Sequence, residues 1–387
     1  MNPSAIPNPT PLPEAIRIEI VDVGEVVAFA TRFFDTAARD PSPTSGIGTA
    51  PLTPERARSL AANPHALSSD PALAVAWQGD RCVGFQQVFP GAVQSGAGSG
   101  RIFWLCGGFV LPDMRQRGIF AHLVRSLISR RIELVSTSYS PGVEHALRKL
   151  GFVEFGPLPF AVTYLRKVHL GHRWGRWIGS HRGDGRAWAA RRLQQAAHAL
   201  DSGPYRVRSI ARVTGLDPRS GTSPSAGPTF PRTPEVIDWM LDHPWVRDDA
   251  PAVVPAFHFG DRRQRFRYLV NQVVRESGEH AGFFLASHQV DAGGSRWTML
   301  DHQFTDSGAL AAALHWQWQV IAELGGVDEV LLPEAAWEML RASRWFRFLT
   351  VRHTRPYLAR PLDPQGLLAR TLGAARLQFV DCDSAFC

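Results

Sequence analysis

Two adjacent glycines and a short arginine- and glycine-containing turn are the residues of this sequence best suited to binding phosphates. Gly107 and Gly108 interrupt an apolar stretch that begins at Ile102. Glycines inside a strand usually mark a β-bulge or the close approach of another molecule to the backbone. Pro112 ends the strand, and Arg115 to Phe120 (RQRGIF) are expected to open a helix. Because the first turn of a helix offers unpaired N–H groups and partial positive charge, this turn is a candidate pyrophosphate site.

The segment from Val110 to Phe120 (VLPDMRQRGIF) resembles the acyl-CoA-binding signature of the GNAT superfamily of N-acetyltransferases. Phe120 departs from that signature, because the family has Gly or Ala at this position. Its side chain either crowds the phosphates or points into the core beside Val124. The second alternative is favoured by the apolar spacing of the helix, in which residues recur every fourth position. Those residues are Ile119, Leu123, Leu127, Phe120, Val124 and Ile128.

The resemblance implies that acetyl-CoA or another acyl-CoA is the co-substrate. Backbone groups of Gly108, Phe109 and Val110, which the bulge would free, are expected to pair with the pantetheine arm. Backbone N–H groups of the turn are expected to hold the pyrophosphate. The turn consists of Arg115, Gln116, Arg117, Gly118, Ile119 and Phe120.

Acyl transfer from a thioester to an amine requires a base for the amine and, commonly, an acid for the departing thiolate. The family often uses a Tyr in the helix before a K-L-G-F element, which residues 147–152 (LRKLGF) resemble, but Leu147 stands at that position. Tyr139 and His145 lie nearby in the sequence and are candidates to replace it, while Glu144 is a candidate base. Alternatively, none of the three is catalytic: Tyr139 is then a loop tyrosine, His145 a solvated residue of the helix and Glu144 an exposed carboxylate.

The surrounding pattern predicts the element order of the same fold over residues 16–167. Period-two alternation predicts strands, and spacings of three and four predict helices. Residues 40–54 are rich in Pro, Gly, Ser and Thr and are expected to form a loop that helps to build the acceptor pocket. The predicted elements are strand 16–21, helix 26–37, strands 72–77 and 82–89, the helix opening at 115, strand 131–136, helix 141–150 and strand 161–166.

Residues 235–387 are expected to repeat this plan. An offset of 193 residues places Tyr357 on Tyr164 and Leu358 on Leu165, which indicates an internal repeat. The stretch from Asp301 to Gly308 replaces the arginine-containing turn and carries two acids, so we expect poor pyrophosphate binding and a structural or substrate-shaping role. The predicted elements are strands 266–275, 281–290 and 297–304, helix 307–324, strand 328–332 and helix 333–343.

The predicted fold is therefore of the mixed α/β (α+β) class, with two GNAT-like domains at residues 16–167 and 235–387. Each domain is expected to hold a mixed, mostly antiparallel sheet flanked by helices. Residues 1–15 are rich in Pro and are expected to be a disordered lead-in without the features of a signal peptide. Residues 168–234 are expected to form a basic helical linker.

The net charge of +7 is concentrated near that linker, because residues 166–232 contain 13 Lys and Arg against three Asp. The linker is expected to dock on a domain, and a membrane-binding or nucleic-acid-binding surface is the alternative. No motif that reads nucleic acid accompanies it, so no nucleic-acid partner is expected. No run of about 18 apolar residues is present, so no membrane span is expected.

The four cysteines have no metal-binding spacing, which predicts a reduced cytoplasmic protein without a metal. Two of them, Cys82 and Cys106, fall in predicted strands and are expected to be buried, inert thiols. The other two are Cys382 and Cys387.

These features together favour a cytoplasmic N-acyltransferase that moves an acetyl or other acyl group from acyl-CoA to a small-molecule amine in the first domain. One alternative is an enzyme that uses longer acyl chains or an acyl carrier protein, an acidic partner that the basic linker would attract. A second alternative is a non-catalytic module for acyl-CoA binding or assembly, consistent with the missing tyrosine.

Overall fold

A computed structural model describes residues 16–39, 49–95, 98–165, 184–213, 230, 232–248, 257–259, 264–371, 377–379 and 381. The predicted N-terminal segment, much of the basic linker, Cys382 and Cys387 lie outside the described residues. Within the described ranges, the predicted mixed and mostly antiparallel sheet flanked by helices is confirmed.

Twelve strands of the described residues join in one continuous sheet, in the order β1-β2-β3-β4-β5-β12-β6-β11-β10-β9-β8-β7. The pairs β4–β5 and β10–β11 are parallel, and the other neighbouring pairs are antiparallel. In chain order the strands are β1 Ile16–Asp22, β2 Pro71–Gln78, β3 Arg81–Ser95, β4 Gly98–Val110, β5 Leu134–Thr137, β6 Val153–Tyr164, β7 Tyr205–Ile210, β8 Arg265–Arg275, β9 His280–Asp291, β10 Gly294–Phe304, β11 Glu329–Pro333 and β12 Thr350–Arg360.

The two halves of the sequence exchange their last strands at the centre of this sheet. Strand β12 of the second half lies between β5 and β6, where Leu358 pairs with Ser136. Strand β6 of the first half lies between β12 and β11, where Leu331 pairs with Val162. The two halves are therefore hydrogen-bonded to each other along both edges of β12 and both edges of β6. The sequence predicted a strand at 161–166 and aligned residues 357–358 with 164–165, but it predicted neither β12 as a strand nor this exchange.

The helices cover both faces of the sheet because each has an apolar stripe at helical spacing. Helices α3 and α4 bury Leu123 and Leu147 completely against the first-half strands, and each buried leucine contributes about 1.5–3 kcal/mol. In chain order the helices are α1 Val26–Arg39, α2 Pro54–Ala61, α3 Ile119–Ile128, α4 Pro141–Lys149, α5 Asp184–His198, α6 Pro234–Asp242, α7 Ser307–Leu324, α8 Glu334–Leu340, α9 Arg344–Leu349 and α10 Leu367–Thr371.

Helices α3 and α2, which lie near the glycine pair in the fold, differ from the sequence-based expectation, and α6, α9 and α10 were not predicted. The prediction that Arg115 opens a helix is wrong: α3 begins at Ile119, after a single 3₁₀ turn at Pro112–Met114. Helix α2 was not predicted, although Thr53 accepts a hydrogen bond from the Arg56 N–H and Pro54 follows it, a recognised helix start.

Candidate functional site

A β-bulge interrupts strand β4 at Gly107, as the glycine pair predicts. Gln86 pairs with Gly108 and Gln87 pairs with Cys106, so Gly107 has no partner on β3. Its φ of 53° lies in the left-handed region, which glycine adopts without steric cost. The strand is buried from Ile102 to Cys106, whereas Gly108 is exposed. The bulge therefore marks the point at which the strand emerges from the core.

Beyond the bulge, β4 separates from its parallel neighbour β5. The two strands pair only from Phe103 to Leu105 on β4, and β5 itself ends at Thr137. The β5-facing edge of residues 107–110 has no strand beside it among the described residues. We call this space, between residues 107–110 of β4 and the end of β5, the first-half wedge.

The turn between β4 and α3 contains two residues in the left-handed conformation. Gln116 has φ 65°, and Gly118, the residue that precedes α3, has φ 75°. Left-handed residues within a turn let successive N–H groups point to one side and form an anion-binding concavity. The first intrahelical bond is donated by the N–H of His122 to the Gly118 carbonyl. The N–H groups of residues 119–121 are therefore left for a ligand or solvent.

Two side chains of this turn bind the strand. The Nε of Arg115 donates to the Val110 carbonyl at 3.1 Å, and its guanidinium lies 5.8 Å from the centre of the Phe109 ring. Phe120 is half-buried in the first-half core, and its ring lies 3.3 Å from where a Cβ on Gly108 would be. Of the two alternatives for Phe120, the ring adopts the inward one. Arg117 is exposed.

The three predicted catalytic side chains lie at or just before the start of α4. Glu144 accepts a hydrogen bond from Arg148 at 2.9 Å, and His145 is exposed. The Tyr139 hydroxyl is buried without a hydrogen-bond partner in the described chain. Burial, and then the charge of Glu144, raise the pKa of Tyr139 to about 12. The structure brings Tyr139 and Glu144 into one electrostatic cluster, and the catalytic roles of all three residues stay predictions.

Both described cysteines are buried, as predicted. Burial raises the pKa of the Cys82 thiol to about 12, which disfavours the thiolate that a nucleophile needs. Cys106 is 4% exposed and lies just before the bulge.

Sequence reasoning missed a group of residues on the opposite side of the bulge. Gln87 is fully buried, and its side-chain oxygen lies 2.9 Å from where a Cβ on Gly107 would be. That oxygen accepts a hydrogen bond from Arg56 of α2 at 3.2 Å. His258, from the second half, stacks on the Phe109 ring with centres 3.8 Å apart. Burial and then Arg115 lower the pKa of His258. No local pattern in the sequence joins these residues, because they come from distant segments.

The second half contains a matching bulge at the same internal offset. Met299 pairs with Ala286 and Asp301 with Leu285, so Leu300 is the extra residue, 193 positions after Gly107. Strands β10 and β11 pair only from Arg296 to Thr298 on β10. We call the space beside residues 299–304 of β10, beyond that pairing, the second-half wedge.

A segment from near the end of the chain fills the second-half wedge. The side-chain oxygen of Gln378 accepts a hydrogen bond from the His302 N–H at 3.2 Å, and its amide nitrogen donates to the His302 carbonyl at 3.3 Å. His302 is 193 positions after Phe109. The pairing places the backbone groups of His302 toward the second-half wedge, and Phe109 holds the corresponding position beside the first-half wedge.

Three buried charged residues fix this segment. Arg232 lies 3.3 Å from Asp301 on β10 and forms a second ion pair with Asp381. Asp381 also accepts a hydrogen bond from the Gln378 N–H at 2.7 Å. Burial raises the pKa of both carboxyl groups, to about 6 for Asp381, although Arg232 opposes the shift. Arg232 thus pairs with both acids, and the charge of Arg355 also acts to lower the pKa of Asp381.

The helix start beside the second-half wedge is also occupied by the chain itself. Only residues 305–306 connect β10 to α7, whereas residues 111–118 connect β4 to α3. Asp306 accepts a hydrogen bond from the Ala309 N–H at 3.0 Å and another from the Tyr205 hydroxyl. Although burial opposes it, the hydrogen bond from Tyr205 helps to lower the pKa of Asp306. A carboxylate therefore stands where the first half offers N–H groups.

In the part of the chain that the structure describes, no cluster of three or more His, Cys, Asp or Glu side chains could hold a metal ion. No helix there is both long enough and apolar enough to span a bilayer.

Known structures resemble this fold, although no protein-family model and no curated protein matches the sequence. A probable N-acyltransferase from Enterococcus faecalis V583 is 11% identical, with a TM-score of 0.52 over 90% of this chain and 73% of that one. N-myristoyltransferase from Saccharomyces cerevisiae with bound myristoyl-CoA and inhibitors is 10% identical, with a TM-score of 0.52 over 92% of this chain and 82% of that one. A GCN5-related N-acetyltransferase from Anabaena variabilis ATCC 29413 is 11% identical, with a TM-score of 0.49 over 90% and 73% of the two chains. The two structures with TM-scores of 0.52 therefore show that the chain has the GNAT fold of the probable N-acyltransferase and N-myristoyltransferase.

Proposed function

We propose that this protein is an N-acyltransferase that transfers an acyl group from acyl-CoA to an amine at the first-half wedge. The observation that carries the proposal is the bulge at Gly107 beside a strand edge that no described strand pairs with, followed by the left-handed turn at Gly118 before α3. The strand edge at the bulge suits the amides of the pantetheine arm, and the turn at Gly118 suits the pyrophosphate. The solved structure of N-myristoyltransferase with bound myristoyl-CoA adds support at the level of the fold.

The residues around the bulge supply the chemistry that acyl transfer requires. An N–H group next to the bulge can donate to the thioester oxygen and stabilise the negative charge that develops there. His258 lies on the Phe109 ring, and its lowered pKa keeps the imidazole neutral near pH 7. A neutral imidazole can accept the proton that the attacking amine loses. We therefore add His258 to Tyr139, Glu144 and His145 as a candidate proton-transfer residue.

The first experiment separates binding from catalysis. Calorimetry would measure the affinity for acetyl-CoA and for acyl-CoAs of increasing chain length, and a thiol assay would measure CoA release across a panel of amines. Saturable acyl-CoA binding with amine-dependent thiol release is expected. Binding without thiol release from any amine would instead favour the non-catalytic alternative, and absence of acyl-CoA binding would refute the proposal.

The same assay distinguishes the acyl donors. A higher kcat/KM with long-chain acyl-CoA than with acetyl-CoA would assign the longer-chain alternative. Faster release from an acyl carrier protein that weakens with added salt would indicate the acidic partner, because salt screens attraction between exposed charges.

A further inference from the structure

Arg56 of helix α2 is a buried cation with no carboxylate partner in the described chain. The residue is 2% exposed, and its guanidinium makes one hydrogen bond, from Nη1 to the Gln87 side-chain oxygen at 3.2 Å. Its Nε has no hydrogen-bond partner among the described residues. By contrast Arg58, two positions along the same helix, is exposed and ion-paired with Glu55. A buried charge is unfavourable unless it is paired, so Arg56 calls for an anion.

Two aromatic rings enclose this guanidinium. Its central carbon lies 4.4 Å from the centre of the Trp245 ring and 4.6 Å from that of the Phe257 ring. Cation–π contacts partly compensate for lost hydration. They do not satisfy the Nε–H, which has no hydrogen-bond partner among the described residues, and the planar edge of a guanidinium matches the two oxygens of a carboxylate.

The cation lies beside the place where the acyl group would be transferred. The Gln87 oxygen that binds Arg56 is 2.9 Å from where a Cβ on Gly107 would be, so one glutamine side chain separates the guanidinium from the bulge. Phe257, which covers the guanidinium, is followed by His258 on the Phe109 ring. The anion site and the proposed transfer site therefore share one wall.

We propose that Arg56 binds the carboxylate of the acceptor, and that the acceptor is an amine that also carries a carboxylate, as an α-amino acid does. This inference rests on the proposed function. In an α-amino acid a single carbon joins the amine to the carboxylate, so a carboxylate held by Arg56 places the amine next to the bulge. Arg56 selects the acceptor in this arrangement and takes no part in proton transfer.

The test compares amines that differ only in the carboxylate. L-Phenylalanine would be paired with 2-phenylethylamine, and L-leucine with 3-methylbutylamine. Calorimetry on the CoA-saturated full-length protein should give about tenfold tighter binding for the amino acid of at least one pair, a factor typical of a charge-assisted contact. Arg56→Met should remove that difference, and Arg56→Lys should retain part of it. Arg58→Met is the matched control and should bind like wild type.

The readout does not depend on turnover, so it is separate from the test of the proposed function. Equal affinity for both members of each pair, or no binding of any amino acid, would overturn the inference even if amines are acylated. An unchanged preference in Arg56→Met would do the same. Thermal unfolding and acetyl-CoA affinity would be measured for each variant, because a purely structural Arg56 would lower stability without changing the preference.

Discussion

In the first half the strand edge beside the bulge has no partner strand among the described residues, whereas in the second half the corresponding edge is paired with Gln378. Both wedges arise in the same way. In each half a parallel strand pair is short, and the longer strand of that pair carries one extra residue, which is Gly107 on β4 and Leu300 on β10. The difference lies in what fills the space. An amide side chain pairs with the N–H and C=O of His302, as a pantetheine amide is expected to pair at Phe109.

The helix starts of the two halves differ in the same way, because a side chain of the protein caps only the second one. Helix α3 starts after Gly118 with N–H groups that have no partner in the described part of the chain, whereas α7 starts after Asp306, whose carboxylate accepts from the equivalent groups. The filled wedge thus shows the interactions that an open wedge of this fold can make. It also explains how one half can keep the fold without the ligand, because side chains of the protein replace the contacts.

The largest expected effect concerns the residue that holds the filling segment. Arg232→Met would leave Asp301 and Asp381 buried without their cation, and breaking a buried ion pair costs about 3–5 kcal/mol. Urea denaturation should measure this loss. Arg296→Met is the control, since its ion pair with Glu329 is partly exposed and should contribute less than about 1 kcal/mol. Equal losses in the two variants would contradict a special role for the buried cluster.

The second prediction converts the first helix start into a copy of the second. Gly118→Asp would place a carboxylate at the start of α3, as Asp306 does at α7, and asparagine and aspartate tolerate the left-handed backbone better than most residues. Repulsion of the pyrophosphate should weaken acetyl-CoA binding on the order of 100-fold, which calorimetry can measure. Gly118→Asn is the uncharged control and should bind at least tenfold more tightly than Gly118→Asp. Similar affinities for the two variants would show that charge at this turn is unimportant.

The comparison also shows what local sequence can and cannot specify. The glycine pair predicted the bulge, because only backbone conformation was at issue, and the strand and helix periodicities predicted most elements. The start of α3 was misplaced because the left-handed turn at Gly118 separates Arg115 from the helix. Helix α2 was not predicted, because the high content of Pro, Gly, Ser and Thr in residues 40–54 indicates a loop and outweighs the helix cap at Thr53.

Long-range features were not predictable in this way. The strand exchange pairs Leu358 with Ser136, and the Gln378 side chain is hydrogen-bonded to the backbone of His302, 76 positions earlier in the chain. Arg56 reaches Gln87, 31 positions away, without any motif that links them. Such contacts depend on the folded topology, so a single sequence gives no periodic signal for them.

The third prediction tests the bulge separately from the helix start. At Gly107 a Cβ would lie 2.9 Å from the Gln87 oxygen, in addition to the cost of φ 53°. Gly107→Ala should therefore shift the strand edge and weaken acetyl-CoA binding about tenfold, which corresponds to roughly 1.4 kcal/mol. Gly79→Ala is a matched control, with φ 58° and open space around the added methyl group. Both variants should lose about 1 kcal/mol of stability from backbone strain, and only Gly107→Ala should lose affinity.

The smallest expected effect is the pH dependence of the filled wedge, because two of its groups act in opposite directions. Burial raises the pKa of Asp381 to about 6, above its ordinary value of 3.8, so this group makes stability fall as pH rises from about 4 to 6. Burial, and then Arg232, lower the pKa of His302 from 6.5 to about 4, so this group makes stability rise with pH over nearly the same range.

Their opposition should leave the wild-type stability nearly flat between pH 4 and 6 with respect to these two groups. Asp381→Asn removes the contribution of Asp381 and keeps that of His302, so the free energy of unfolding should rise more steeply with pH than in wild type. In His302→Gln only the acid contribution remains, so the free energy should fall relative to wild type. Urea denaturation of the three proteins at several pH values measures these slopes. Parallel curves would mean that the segment carrying Gln378 and Asp381 leaves the wedge in the native protein, and the contrast between a filled and an open wedge would then fail.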